Sequence, residues 1–431
     1  ANPKACYLQR PRRATRDRRY WEIFEHAHGS VRAAFPGAPL QGRCPFEGDA
    51  QQPMRNLAIA TGLVQAGTVG RAWFALCRHD ANPDVPPHWA EWARLLPGGT
   101  PAPSLPASAI LGAGLAAGGL EDWAVWMSKR YRLPLPGLRY ARAPSQEFLR
   151  TLGPEGELRF LLEPRLVSGV QLDIHFREHD HLHLYCGLTR VADIAHHSRG
   201  VTVNAHATYR VQAPTLFRTW APHEFDALRQ ELGAYLQRVA VGAPHVEKEG
   251  AVQSAWCRPG AAPWTAVDRE AVVGYPSTEL QAAFRVSRAV QTARAEASAE
   301  GFALPQERGT AAELDQLAVA DDGTLVLIEL KHSSANAAAL AGAPLQLLQY
   351  LWEWHAALPS LAPAIDRLIE ARRAVGLPAP AAQLTGTLRG VIGLDTGKPS
   401  PEVRRRMDVA LAIANRHRPP SVPEIEVQHL L

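Results

Sequence analysis

Four side chains between residues 313 and 331 have the chemical types that metal-assisted hydrolysis requires: Glu313, Asp315, Glu329 and Lys331. Clustered carboxylates suit a hard divalent cation such as Mg²⁺, which takes oxygen ligands and keeps several waters. A neighbouring ammonium can orient the attacking water and offset the charge of a phosphate. These residue types therefore predict metal-assisted hydrolysis of a phosphodiester bond, if the fold brings them together.

A β-hairpin would bring these side chains together. Residues 321–323, Asp-Asp-Gly, are turn formers between two alternating apolar runs. Because side chains alternate between the faces of a strand, Glu313 and Asp315 point together on the first strand, and Glu329 and Lys331 share one face of the second. Charged groups that close an apolar strand are costly to desolvate, which indicates that they have a use.

The order Asp315, then Glu329-Leu330-Lys331, resembles the core motif of the PD-(D/E)XK nuclease superfamily, which has the restriction-endonuclease-like fold. In that family a helix that carries a glutamate precedes the hairpin. The segment 277–284 predicts such a helix, with Glu279 in its first turn. A helix with a Gln-x-x-x-Tyr signature often follows the hairpin, and Gln346 and Tyr350 reproduce that spacing.

The resemblance covers residues 270–431, and the segments after the hairpin keep the family's order. We predict a strand over 387–394, a helix over 401–415 and a last strand over 424–430. Two departures stand out: no proline precedes the first acid, and an Ala/Pro-rich stretch, 359–383, intrudes after the Gln/Tyr helix.

The resemblance implies roles for individual residues. Asp315 and Glu329 would hold Mg²⁺ (or Mn²⁺), with the Leu330 carbonyl as a third oxygen ligand. Lys331 would position the attacking water and stabilise charge in the transition state. Glu279 would help a second metal or orient a water.

Substrate contacts are also expected from the resemblance. Gln346 and Tyr350 would contact the substrate or buttress the site, and Arg404 and Arg405 are candidates for contacts to backbone phosphates. DNA is preferred over RNA because most of the family acts on DNA. Restriction or anti-phage defence is the setting that the resemblance suggests, although no residue points to it.

Composition and cysteine usage indicate an ordinary soluble protein of a reducing cytoplasm. The chain has 431 residues, of which 46% are hydrophobic and 20% charged. Its five cysteines are odd in number and form no Cys-x-x-Cys pair, which argues against a disulfide framework. No apolar run is long enough to span a membrane. The net charge of +4 supports nucleic-acid binding weakly, because residues 1–20 alone carry +6.

The fold class that we predict is α/β and α+β multidomain, in three parts. Residues 1–135 form a mostly helical α/β domain, which we also consider as a degenerate nuclease-like copy. Residues 145–255 alternate with period two and predict an antiparallel β domain closed by a helix. Residues 265–431 form the αβββαβ nuclease-like core. The two upstream domains would select the substrate, recruit a partner protein or support homo-oligomerisation.

Two alternatives to a nuclease stay open. The first is a catalytically silent member of the fold that binds nucleic acid or protein without cutting. The second assigns function to the β domain, where His179, His181 and His183 share a strand face that His175 opposes. Three imidazoles can bind zinc, but no carboxylate or cysteine has the fitting spacing, so a solvated or interface face is the preferred interpretation.

Overall fold

The chain divides into two units, Ala1–Leu120 and Glu121–Leu431, in a computed structural model that mixes helices and sheets. The structure describes residues 60, 63–70, 75–80, 103–117, 120–163, 166–167, 170–242, 249–285, 287–302, 313–335, 337–395, 397 and 399–429. The predicted boundaries at 135–145 and at 255–265 both fall inside the second unit, which holds both large sheets. The division into three domains therefore stays a prediction.

The described part of the first unit is a short parallel strand pair followed by a helix. These elements are β1 (Leu76–Arg78), β2 (Ser104–Pro106) and α1 (Ala107–Ala117). Ser108, in the first turn of α1, donates its backbone N–H to the Asp80 carboxylate at 3.0 Å. Most of the predicted N-terminal domain, including the basic residues 1–20, lies outside the described residues.

The first half of the second unit contains helices and an antiparallel sheet. The helices are α2 (Glu121–Tyr131), α3 (Gln146–Leu152), α4 (Ala207–Arg210) and α5 (Phe225–Gly242). A two-stranded ribbon, β3 (Leu166–Val167) and β4 (Val170–Gln171), precedes a five-stranded antiparallel sheet. Its strands, in spatial order, are β5 (Asp173–Arg177), β6 (His181–Cys186), β7 (Thr189–His197), β8 (Gly200–Asn204) and β9 (Thr219–Trp220).

A second five-stranded sheet carries the predicted site. Its helices are α6 (Glu249–Trp256), α7 (Thr278–Arg285), α8 (Arg288–Ala299), α9 (Ala337–Ala374) and α10 (Pro401–His417). Its strands, in spatial order, are β10 (Trp264–Ala271), β11 (Leu314–Ala320), β12 (Leu325–Lys331), β13 (Leu388–Leu394) and β14 (Glu426–His429). The β10, β11 and β12 neighbours are antiparallel, whereas β13 and β14 extend the sheet in parallel.

The predicted hairpin is present as β11 and β12. Gln316 pairs with Ile328 in antiparallel register. Gly323 has a φ of +83°, a conformation that glycine adopts without steric cost, so it closes the turn. The predicted strands and helix after the hairpin are also present, as β13, α10 and β14.

The Ala/Pro-rich stretch was interpreted wrongly as an intrusion, because most of it continues helix α9 through Pro359 and Pro363. A proline inside a helix costs about 3 kcal/mol, since it removes a hydrogen bond and clashes with the preceding turn. Leu361, Ile365 and Leu368 repeat at helical spacing and are fully or almost fully buried. Their burial offsets the cost, at about 1.5–3 kcal/mol for each side chain.

Two helices cover opposite faces of the mixed sheet. Ile328 and Leu330 pack in one apolar cluster with Val252 and Trp256 of α6. On the other face Gly390 of β13 leaves room for Leu351 of α9. The end of β12 therefore lies between two helices, and that is where Glu329 and Lys331 are found.

Within the residues that the structure describes, none of the helices combines the length and the apolar character needed to cross a membrane.

Candidate active site

The structure brings Asp315, Glu329 and Lys331 together at the end of the hairpin. Lys331 Nζ lies 2.5 Å from Glu329 Oε1 and 3.9 Å from Asp315 Oδ2. The backbone N–H of Leu330 donates to Asp315 Oδ2 at 2.8 Å, which orients that carboxylate toward β12. The convergence follows from the register of the two strands, which places the acid of β11 beside the acid and the lysine of β12.

Helix α6 adds two polar side chains to this group. Glu249, its first residue, places Oε1 3.7 Å from Lys331 Nζ. Gln253, one turn further along, donates from Nε2 to the Asp315 carbonyl at 3.0 Å. Because Lys331 Nζ also donates to the Leu330 carbonyl at 3.0 Å, three carboxylates and one carbonyl surround a single ammonium.

Burial shifts the pKa values of this cluster. Desolvation raises the pKa of Glu329 to about 8, with a further rise from Asp315, and Lys331 opposes both effects. Desolvation also raises the pKa of Asp315. For Lys331, burial lowers the pKa, but Glu329 and Asp315 raise it by more, so the pKa lies above its usual range and the side chain stays charged.

The cluster is closed at its base and open on one side. Glu329 has no exposed side-chain surface, whereas 29% of the Asp315 side chain and 44% of the Glu249 side chain remain exposed. A phosphate can therefore approach from the side of Asp315 and Glu249. Lys331, 12% exposed, lies between the buried acid and that opening.

One atom of the cluster fits a bound cation. Glu329 Oε2 is buried and has no hydrogen-bond partner among the residues that the structure describes. An ionised oxygen in that position is costly unless a proton or a cation satisfies it. Together with the Asp315 carboxylate and the Leu330 carbonyl it could supply an all-oxygen donor set, the kind that Mg²⁺ takes.

Gln346 and Tyr350 contact each other beside the cluster. Gln346 Nε2 donates to the Tyr350 hydroxyl at 3.2 Å, and that hydroxyl donates to the Glu313 carbonyl at 2.9 Å. Desolvation raises the pKa of Tyr350, and the nearby Glu329 raises it further. Tyr350 is buried and supports the start of β11, while Gln346 is exposed. The Glu313 side chain is exposed as well.

Three other expected site residues, Glu279, Arg404 and Arg405, make contacts within or near their own helices. The exposed Glu279 accepts from Thr278 Oγ1 at 3.1 Å, within the first turn of its own helix α7. Arg404 and Arg405 are exposed on α10, a helix that packs on α8 and α9, and Arg405 pairs with Glu402 of the same helix at 3.0 Å. The acid that a helix brings to Lys331 is therefore Glu249, and the role expected for Glu279 stays a prediction.

Glu249 and Gln253 are the residues that sequence reasoning missed. Helices α7 and α8 are inserted between β10 and β11, so the helices that directly precede the hairpin in the chain are not the ones that bring an acid to Lys331. A signal existed: in Glu249-Gly-Ala-Val-Gln253 the two polar residues are four apart and thus lie on one helix face. The predicted boundary near residue 255 assigned this segment to the β domain.

The histidines of the antiparallel sheet are arranged differently from the expectation. His179 lies in the β5–β6 turn at a φ of +62°, with 83% of its side chain exposed, so it does not share a strand face with the other two. His181 and His183 both face Asp193 of β7, which is the carboxylate that sequence spacing did not reveal. His183 and His175 on β5 are buried, so a solvated face is wrong for these two residues, whereas one third of the His181 side chain remains exposed.

A scan of protein-family models finds no match to this chain, and searches of curated proteins and of solved structures find none.

Proposed function

We propose that the second unit is a Mg²⁺-dependent nuclease that hydrolyses phosphodiester bonds of nucleic acid, with DNA as the preferred substrate. The observation that carries the proposal is the convergence of Asp315, Glu329 and Lys331 on one side of a hairpin, with a buried Glu329 oxygen that has no hydrogen-bond partner among the described residues. Acids and a lysine so arranged supply both metal ligands and a cation next to a phosphate.

The order of elements around the site supports the same proposal. Helix α6, the antiparallel strands β10, β11 and β12, helix α9 and the parallel strand β13 follow one another along the chain. This is the αβββαβ order that the restriction-endonuclease-like fold implies. Helices α7 and α8 would then be an insertion, and α10 and β14 an extension at the sheet edge.

The chain's own groups have distinct parts in such a reaction. Asp315, Glu329 and the Leu330 carbonyl would hold Mg²⁺, which supplies Lewis-acid polarisation of the phosphate and a more acidic water. Lys331 keeps its charge, and its ammonium can donate to a phosphate oxygen or to the attacking water. Glu249 is the most exposed acid of the cluster, so it is suited to accept a hydrogen bond from that water.

The test is a cleavage assay with Mg²⁺ or Mn²⁺ on linear duplex, circular duplex and single-stranded DNA and on RNA, with EDTA as the metal-free arm. Asp315→Ala and Lys331→Ala should each lower cleavage by at least about 10²-fold while nucleic-acid binding persists. Asp322→Asn is the matched control, because Asp322 is an exposed aspartate in the turn at the other end of the same hairpin. Equal turnover by Asp315→Ala and the wild type would reject the proposal.

One observation favours the alternative function, a module that binds nucleic acid but does not cleave it. The Lys331 ammonium lies among the carboxylates and neutralises part of their charge, as it would in a fold that kept the motif for stability alone. The same assay separates the two: a silent module binds nucleic acid equally with and without the metal and never cuts it.

The cellular setting is part of the proposal. Restriction or anti-phage defence in the cytoplasm would suit a nuclease of this kind. The described cysteines Cys77, Cys186 and Cys257 are free thiols, in keeping with a reducing compartment. The remaining segments of the chain would select the substrate, or hold a partner protein or a second copy.

A further inference from the structure

His181, His183 and Asp193 form a second polar cluster, on the antiparallel sheet of the same unit. Each residue offers one ligand atom, and these atoms all lie within 4.8 Å of one another. Among the described residues, no other group of three His, Cys, Asp or Glu side chains has ligand atoms this close together. We propose that it is a zinc-type transition-metal site, independent of the carboxylate cluster on the mixed sheet.

The sheet register produces this arrangement. His183 of β6 and Asp193 of β7 are direct cross-strand partners, and His181 lies two residues away on the same face. His181 Nδ1 lies 2.7 Å from Asp193 Oδ1, and His183 Nε2 lies 3.4 Å from the same oxygen. Both imidazoles thus point a ring nitrogen at one carboxylate.

These separations suit tetrahedral coordination. Zinc–ligand distances of about 2.0–2.1 Å and a tetrahedral angle place neighbouring ligand atoms about 3.4 Å apart. The His183 Nε2–Asp193 Oδ1 distance already has that value, and the hydrogen bond of His181 would open by about 0.7 Å. Two imidazoles and one carboxylate favour a transition metal over Mg²⁺, which prefers oxygen alone.

A hydrogen-bonded pair of side chains orients His183. Its Nδ1 lies 3.3 Å from the Tyr185 hydroxyl, and that hydroxyl donates to Glu270 Oε2 at 2.7 Å. Because the Tyr185 hydroxyl donates its proton to Glu270, the hydroxyl oxygen accepts a hydrogen bond from His183 Nδ1–H. The other ring nitrogen, Nε2, is then left with its lone pair toward Asp193, as a metal ligand requires.

The site is open to ions from solvent. The side chains of His181, Asp193 and His183 are 33%, 16% and 10% exposed, so one side of the cluster faces water. Three protein ligands with an open fourth position are typical of zinc sites that bind a water or a substrate, rather than of closed structural sites. Arg190 NH1 lies 3.4 Å from His183 Nε2, and this exposed cation competes for the same lone pair.

The experiment is a zinc titration of the full chain after chelator treatment, read by metal content after dialysis and by competition with a chromophoric chelator. The wild type should bind one zinc at this site. His181→Ala and Asp193→Asn should weaken that zinc by at least about 100-fold, and Tyr185→Phe by about 10-fold, since it removes the partner that orients His183. Arg190→Gln should bind more tightly, because the competing cation is gone.

Two controls keep the result interpretable. His179→Ala changes an exposed histidine of the same hairpin that lies outside the cluster, so it should keep the zinc. Asp315→Asn should keep it as well, which separates this site from the proposed nuclease site. The Co²⁺-substituted protein should show visible bands of four-coordinate nitrogen and oxygen ligation without thiolate charge transfer, which excludes the free cysteines as ligands.

Circular dichroism of the metal-free variants checks that each one is folded, and His181, the most exposed ligand, is the position least tied to the fold. The proposal is overturned if the wild type retains no zinc, or if folded His181→Ala and Asp193→Asn retain it as tightly as the wild type. Zinc that is lost only in Asp315→Asn would also overturn it, by assigning the ion to the other cluster.

Discussion

Glu329 is the residue on which the chemistry of the candidate active site depends most. Burial of the charged Lys331 beside Glu329 and Asp315 is weak evidence for stability, because desolvation costs can exceed the attraction between opposite charges. Glu329 Oε2, which has no hydrogen-bond partner in the part of the chain that the structure describes, adds to that cost. Burying this cluster costs free energy, and the cluster is open to solvent on one side. Binding of a cation explains such an arrangement better than a contribution to folding stability does.

The raised pKa of Glu329 predicts a pH dependence of stability. In the folded, metal-free protein the carboxyl keeps its proton up to about pH 8, whereas in the unfolded chain it loses the proton in the ordinary range. The folded state therefore binds more protons between these values, and its contribution to stability, complete below the unfolded pKa, is lost as the pH rises through about 8.

We expect the melting temperature of metal-free wild type to fall more between about pH 6 and about pH 9 than that of Glu329→Gln, as measured by circular dichroism. Glu426→Gln serves as the control. Glu426 pairs with Arg389 at the sheet edge, and its pKa is lowered on balance, so it is ionised throughout this range. Parallel pH curves for wild type and Glu329→Gln would show that Glu329 is ionised at neutral pH.

At the scale of elements, the structure differs from the sequence expectation in the helix that brings an acid to the site, which is α6 rather than α7. Glu249 begins this helix and approaches Lys331, while Glu279 is the second residue of α7 and accepts a hydrogen bond from Thr278 in the same turn. Glu249→Ala should lower metal-dependent cleavage by about 10-fold to 10²-fold, because it removes an acid that the proposed mechanism places beside the attacking water. Glu279→Ala is the matched control and should cleave at the wild-type rate in the same assay. The reverse result would restore the role first expected for Glu279.

The packing of α6 on the sheet gives a prediction on stability. A Cβ atom added at Gly393 of β13 would lie 2.5 Å from Leu330 Cδ2 and 3.0 Å from Trp256 Cε2. Gly393→Ala should therefore destabilise the protein by about 1–3 kcal/mol through overpacking, measured by denaturant unfolding. Gly233→Ala is the control: the position is exposed in α5, and an added Cβ would meet no described residue within 4 Å beyond the backbone of its own helix. The change should therefore stabilise the protein by about 0.5–1 kcal/mol. A neutral Gly393→Ala would mean that α6 can shift away from the sheet.

The elements that could be predicted from sequence are those whose determinants are local. The hairpin follows from two alternating runs around a glycine turn, and the meeting of Asp315 with Glu329 and Lys331 follows from strand alternation. The length of α9 could not be predicted, because its prolines oppose the helix and only burial by distant elements offsets them. Asp193 was missed for a similar reason, since its position opposite His183 depends on cross-strand register rather than on spacing along the chain.

At the scale of the whole second unit, buried ion pairs connect its two large sheets. Arg269 of β10 donates from NH1 to Asp173 of β5 at 2.6 Å, and Arg177 of β5 pairs with Asp268 of β10 at 2.5 Å. Arg269 also donates to Gln253 Oε1, and Gln253 in turn holds the Asp315 carbonyl. A continuous set of hydrogen bonds therefore runs from the antiparallel sheet to the candidate active site.

This network predicts that a change at Arg269 affects stability and cleavage separately. Arg269→Met leaves Asp173 buried without its cation, so it should destabilise the unit by about 3–5 kcal/mol. The double variant Arg269→Met/Asp173→Leu removes both charges and should recover most of that loss. Cleavage should stay low in the double variant, because Gln253 has lost the donor that orients it and Asp315 is held less firmly. Unfolding curves and cleavage rates, measured on the same preparations, check both parts. If cleavage recovers together with stability, Arg269 acts through folding alone and the contact through Gln253 has no part in positioning the site.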